Sequence, residues 1–139
     1  MSIEGKNLLT GDDLETAAEA AAKLEEAAAK EPDITNYIHT FKKPFIYQGH
    51  TYETLTFNWG ALTGNDHLEI ESELLMRGKT LVSPEFSGDF LCRMAARACT
   101  ERDADGFRTV SADTLKAMPM REFQMICKRA RSFLLRAGS

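Results

Sequence analysis

The apolar residues of this chain change their period once, and that change separates what can pair as strands from what must coil as helix. Tyr37, His39 and Phe41 alternate with Ile38, Thr40 and Lys42, and Leu55, Phe57 and Trp59 alternate with Thr54, Thr56 and Asn58. Alternation sends every second side chain to one face, the pattern of a strand with one side buried. Between the two runs, Tyr47-Gln48-Gly49-His50 supplies a turn, because Gly49 can take a positive φ without a Cβ clash. The expectation is a β-hairpin over about 37–58. Pro44 has no amide to give to a ladder, so the strand around it must be an edge or be interrupted there.

From Leu62 onward the spacing is helical. Leu62-Thr63-Gly64-Asn65-Asp66 is a cap-like turn in which Thr63 or Asn65 can accept from free backbone amides. The helix it opens should end at Gly78, with Ile70, Leu74 and Leu75 on its buried side. Ser83-Pro84-Glu85 has the order of a second helix start, followed by Phe86, Phe90, Leu91, Met94, Ala95 and Ala98 as its core stripe. Ser111 can cap a short third helix, with Val110 and Leu115 as the staple across the cap. Pro119 suits a first helical residue, and Phe123, Ile126, Cys127, Ala130, Phe133 and Leu134 form the last stripe. Together these predict an α+β domain over 35–139, a hairpin followed by a bundle of three to four helices.

A chain of 139 residues has room for one core and a tail. The tail is expected at 1–34, an acidic Ala-rich leader with a helix from about 12 to 30, ended by Pro32. Its pairs Glu19 with Lys23 and Glu26 with Lys30 are in the favourable order. Only Leu14 and Leu24 are large along its stripe, so a mobile or solvated helix is expected there, with a partner-docking helix as the alternative. Charge reverses along the chain: from Arg93 to the end, ten basic residues face five acidic ones. The net charge of -4 nevertheless argues against a dedicated DNA binder. Cys92, Cys99 and Cys127 sit inside helical stripes and read as buried, reduced thiols, which suits a cytoplasmic setting. Neither a secretion signal nor a membrane span is indicated.

Candidate chemistry is sparse. Asp66, Glu69 and Glu73 share a helical face, but Glu73 precedes Arg77 by four, the spacing of a solvated ion-paired face rather than a cation site. His39, His50 and His67 lack the short-range pairing with cysteine or histidine that zinc sites show. No phosphate loop, nucleophile elbow or dinucleotide fingerprint is present. The expectation is therefore no enzyme, no metal, no cofactor and no small-molecule substrate. In the last helix, Arg131, Phe133, Leu134 and Arg136 combine the residue types favoured at protein interfaces and are the candidate docking edge.

Phe41-Lys42-Lys43-Pro44-Phe45, Tyr47-Gln48-Gly49, Tyr52 and Leu55-Thr56-Phe57 together resemble the opening of phage tail assembly chaperones. Leu62-Thr63-Gly64-Asn65-Asp66 and the acidic helix with Ile70 and Glu73 are similar to the turn and helix that follow in that family. The later Phe90-Leu91 and Phe133-Leu134 fit the same layout. The resemblance covers about residues 40 to 136 and rests on structural motifs, Pro44, Gly49, Leu62, Thr63, Gly64 and Asp66 among them, while the leader lies outside it. It implies a non-catalytic chaperone in the cytoplasm of an infected or lysogenic bacterium. Such a protein binds the tape measure protein, with the tail tube protein as a further candidate partner, promotes tail tube assembly, and is absent from the mature virion. Other functions compatible with the sequence are a structural or adaptor protein of the tail, and a small regulator contacting nucleic acid through the basic C-terminal helix. The sequence leaves room for an oligomer.

Overall fold

The computed structural model describes residues 34–137. The expected acidic leader, with its helix from about 12 to 30, lies outside the described residues apart from Ile34 itself. Strands β1 (Asn36–Tyr47) and β2 (His50–Asn58) form a two-stranded antiparallel sheet. Gln48 and Gly49 join them with φ of 49° and 80°, the two left-handed residues with which a type I′ turn matches strand twist. Pairing runs from Asn36 with Asn58 to Thr40 with Thr54 and resumes at Phe45 with Tyr52, so residues 41–44 face Glu53 alone. Pro44 lies in that interruption, where no ladder amide is needed. The irregularity keeps the hairpin in phase: Phe41, Tyr52, Leu55 and Phe57 are all buried, and Phe45 stacks on Tyr52 at 6.2 Å.

A single 3-10 turn, Trp59–Ala61, carries the chain from sheet to helix, with the Trp59 ring buried and stacked on Phe57 at 5.3 Å. Helix α1 (Gly64–Met76) begins where Thr63 accepts the Asp66 amide and the Asp66 carboxylate accepts the Thr63 amide at 2.8 Å, a reciprocal capping box. It ends in a Schellman arrangement: Lys79 donates to the Leu74 carbonyl, Gly78 to that of Leu75, and Gly78 has φ of 73°. Ile70 and Leu74 are buried as expected, but Leu75 is 74% exposed. Five residues after Ile70, its direction lies about 140° away around the helix, beyond the strip that touches the core.

The second helix starts later than the sequence suggests. Ser83 makes no side-chain cap, and Pro84–Phe86 forms one 3-10 turn. The chain extends again at Ser87, whose hydroxyl accepts the Phe90 amide at 3.1 Å and caps α2 (Gly88–Ala98). Phe86 thus lies outside the helix and is 69% exposed rather than in the core. Helix α2 is the centre of the domain, packed against α1, the short α3 (Ala112–Lys116) and the last helix, α4 (Met120–Ala137). Phe90, Leu91, Cys92, Met94, Ala95 and Ala98 are all buried. Ser111 caps α3 through a capping box with Thr114, and Val110 and Leu115 are buried beside it. Helix α4 (Met120–Ala137) begins one residue after Pro119, whose carbonyl accepts the Phe123 amide at 3.0 Å. Ile126, Cys127 and Ala130 are its buried apolar residues, with Phe123, Phe133 and Leu134 packed against the core's margin.

The architecture is α+β, a hairpin followed by four helices among the described residues. No helix among them is long and apolar enough to cross a membrane.

Candidate functional site

Two helix ends converge to form a small apolar cleft. The turn before α1 contributes Leu62, Thr63 and Asp66, α1 itself His67 and Ile70, α2 Phe90 and Met94, and the end of α4 Phe133 and Leu134. Its volume is about 110 Å³, well below the roughly 300–1,000 Å³ usual for a small-molecule site, so it suits one or two apolar side chains of a macromolecule. The capping box holds the rim: Asp66 is fixed by Thr63 on one side and by Arg97 Nη1 at 3.0 Å on the other. The Thr63 amide, then the Arg97 guanidinium, holds the Asp66 carboxyl below the usual carboxylate range. Next to Asp66, His67 lies against the Phe90 ring at 4.9 Å and pairs with Glu71 at 3.4 Å.

Of the expected docking edge, Phe133 and Leu134 line this cleft, while the two arginines do not. Arg131 turns toward the 3-10 turn before α2, donating to the Glu85 carbonyl at 2.8 Å with its guanidinium 5.6 Å from the Phe86 ring. Arg136 is exposed near the helix end. Of the family-like motif, Leu62, Thr63 and Asp66 line the cleft and Gly64 opens α1, whereas Pro44 and Gly49 belong to the hairpin's interruption and turn. Ile70, Phe90 and Met94, which the sequence assigns to the core alone, also form the cleft floor.

The carboxylates of α1 serve a different purpose from that expected. Asp66, Glu69 and Glu73 do share one face, but they converge on Arg97 of α2 at 3.0, 2.6 and 3.2 Å. Glu73 also meets Arg93 at 3.5 Å, so its partners are on α2 and not Arg77. Arg93 is 5% exposed and bonds Asp89 at 3.3 Å. Burial would raise the Asp89 carboxyl, but Lys79 and Lys116 beside it keep it below its ordinary value. A larger, open polar cleft of about 580 Å³ lies over this network, lined by Arg77, Arg93, Arg97 and Arg108 together with Glu73 and Asp113. Arg108 reaches the α2 carbonyls of Ala96 and Arg97 at 3.1 and 2.7 Å, serving as a C-terminal cap.

Sequence reasoning missed a buried polar chain between sheet and helix. His39, fully buried on β1, donates from Nε2 to Glu122 of α4 at 2.9 Å, and Lys42 donates its amide to the other Glu122 oxygen at 3.1 Å. A carboxylate can only accept, so His39 Nδ1 is left to accept the Tyr37 hydroxyl at 2.8 Å. Burial pushes the His39 pKa below its ordinary value, although Glu122 opposes that shift, so the ring is neutral near pH 7. The position of His39 between two apolar members of an alternating run signals its burial; nothing in the sequence singles out Glu122.

The three histidines do not assemble: His39 is in this chain, His50 borders the hairpin turn and His67 is on α1. No group of three or more His, Cys, Asp or Glu among the described residues is placed to hold a metal ion. Cys92, Cys99 and Cys127 are buried free thiols. Burial raises all three, that of Cys127 to about 12, so they remain protonated. No family model matches the chain, and neither does any curated protein or any solved structure.

Proposed function

We propose that this chain is a non-catalytic assembly chaperone of a phage or prophage tail, acting in the bacterial host cytoplasm by binding the tape measure protein before the tail tube encloses it. One juxtaposition supports this reading. Leu62, Thr63 and Asp66, from the turn that resembles the tail assembly chaperones, and Phe133 and Leu134, from the expected docking edge, line a single apolar cleft. A long helical client exposes apolar side chains until it is enclosed, and a cleft of this size accepts such a side chain from one helix face. Each contact of that kind is weak, and many copies along one client bind through avidity.

The direct experiment is co-expression with a long helical protein encoded beside this chain. The client becomes more soluble and co-purifies with the chaperone, and Leu134→Asp abolishes both effects while the variant stays folded by far-UV circular dichroism. Unchanged client solubility with no recoverable complex refutes the reading. Abundance of the chain in purified tails, measured by mass spectrometry, would instead make it a structural component.

A further inference from the structure

The outward face of α4 is a second surface with its own chemistry, and none of its residues lines the cleft. Arg121, Met125, Lys128 and Leu135 succeed one another at helical spacing and are all exposed, as are Met120 and Arg129 beside them. At the start of the helix, Lys42 and Lys43 of β1 meet Arg121 around a shallow depression of about 230 Å³. Arg129 lies 4.9 Å over the Tyr37 ring. The one carboxylate of α4, Glu122, is turned inward and engaged by His39 and the Lys42 amide. The side-chain cations of Lys42, Lys43, Arg121, Lys128 and Arg129 therefore have no carboxylate partner among the described residues, in contrast to those of Lys79, Arg93, Arg97 and Lys116.

We propose that this face docks an acidic, amphipathic helical segment of a protein partner. The cations meet its carboxylates, while Met120, Met125 and Leu135 cover its apolar stripe. The interleaving of the two residue types selects this occupant. A phosphate backbone offers no apolar surface to the methionines and leucine, and the Tyr37 ring, with Arg129 lying over it, is not open to a stacking base. A membrane would take up a broad apolar face, and that face of α4 is already in the core. The acidic side of α1 in a second copy is held by Arg93 and Arg97, and engagement of the acidic sequence at 1–34 of a second copy is the self-association outcome that the test below counts against the proposal. The proposal goes beyond the chaperone reading, because it concerns another surface and does not require the partner to be a tape measure protein.

The test uses the full chain and a fluorescein-labelled peptide as long as α4, rich in Glu with one Leu stripe at helical spacing, followed by fluorescence anisotropy. Binding should weaken by about tenfold in Arg121→Glu/Lys128→Glu and should fall steeply with added salt, as rim cations at an interface require. A peptide of the same composition with its Leu residues scattered should bind several-fold more weakly. Equal binding by the variant, salt-insensitive binding or equal binding of the scattered peptide would each overturn the proposal. So would tighter binding, at the same salt, of a DNA duplex or of anionic phosphatidylglycerol vesicles, or a self-association that the variant removes. Far-UV spectra matched between variant and parent exclude unfolding as the cause.

Discussion

Helices α2 and α4 each carry basic residues beside an apolar stripe, and the surroundings of those residues differ. Arg93 and Arg97 of α2 lie under α1, where Asp66, Glu69, Glu73 and Asp89 close around them. Arg121, Lys128 and Arg129 of α4 look outward, and the one acid of that helix is buried against His39. The same residue type thus ties two helices together in one place and is left available to a partner in the other. Counting charges along the sequence cannot separate these uses; the neighbouring carboxylates do.

The largest effect should come from the inward acid of α4. Glu122→Ala leaves buried His39 and the Lys42 amide without their acceptor and should cost about 3 kcal/mol in urea unfolding, the upper range for a hydrogen bond to a charged group. The same site makes stability depend on pH. Folded His39 titrates below 6.5 because it is buried, while the unfolded ring takes up a proton once the pH falls through 6.5. Stability is therefore fully present above that value and declines as the pH drops toward the lowered folded value. Arg121 adds to the depression of His39, Glu122 opposes it, and the hydroxyl of Tyr37, whose ring lies under Arg129, meets Nδ1. Urea midpoints should fall between about pH 7 and pH 5 in the parent, and His39→Gln should flatten that slope. A parent whose midpoint does not change with pH in this window contradicts a neutral, buried His39.

Next come the arginines of α2. Arg93→Ala removes a buried guanidinium from Asp89 and Glu73 and should cost about 2 kcal/mol, within the usual range for a broken buried network. Arg97→Ala leaves three carboxylates facing one another, but Glu69 and Glu73 are well exposed to water. Solvent screening reduces its expected cost to about 1 kcal/mol. The smallest effect belongs to α4: Arg121→Ala/Lys128→Ala should change stability by less than about 0.5 kcal/mol, as for exposed residues without partners. A cost for that pair as large as for Arg93→Ala would erase the distinction between the two helices.

Features set by neighbours in sequence were legible in advance. The hairpin follows from alternation and from Gly49, the start of α1 from the cap-like turn of residues 62–66, where packing selects Thr63 over Asn65, and α3 from Ser111. Where two local signals compete, the choice is made by packing: Ser83 and Ser87 both precede an acid by two, and the chain uses Ser87. Pairings across the fold leave no trace in spacing. Glu122 lies 83 positions from His39, and Glu73 passes over Arg77 for two arginines on another helix. Phe133 and Leu134 stand out in the sequence as an expected docking edge and line the cleft, whereas the rest of the cleft comes from residues that look like ordinary core until three helices and a turn bring them to one opening.

Unfolding in urea of Arg93→Ala and Arg121→Ala/Lys128→Ala, side by side in one buffer, tests the central claim that the cations of α2 hold the fold while those of α4 face a partner. The midpoint should be clearly lowered in the first variant and unchanged in the second. A lowered midpoint in the second, with the first unaffected, would contradict it.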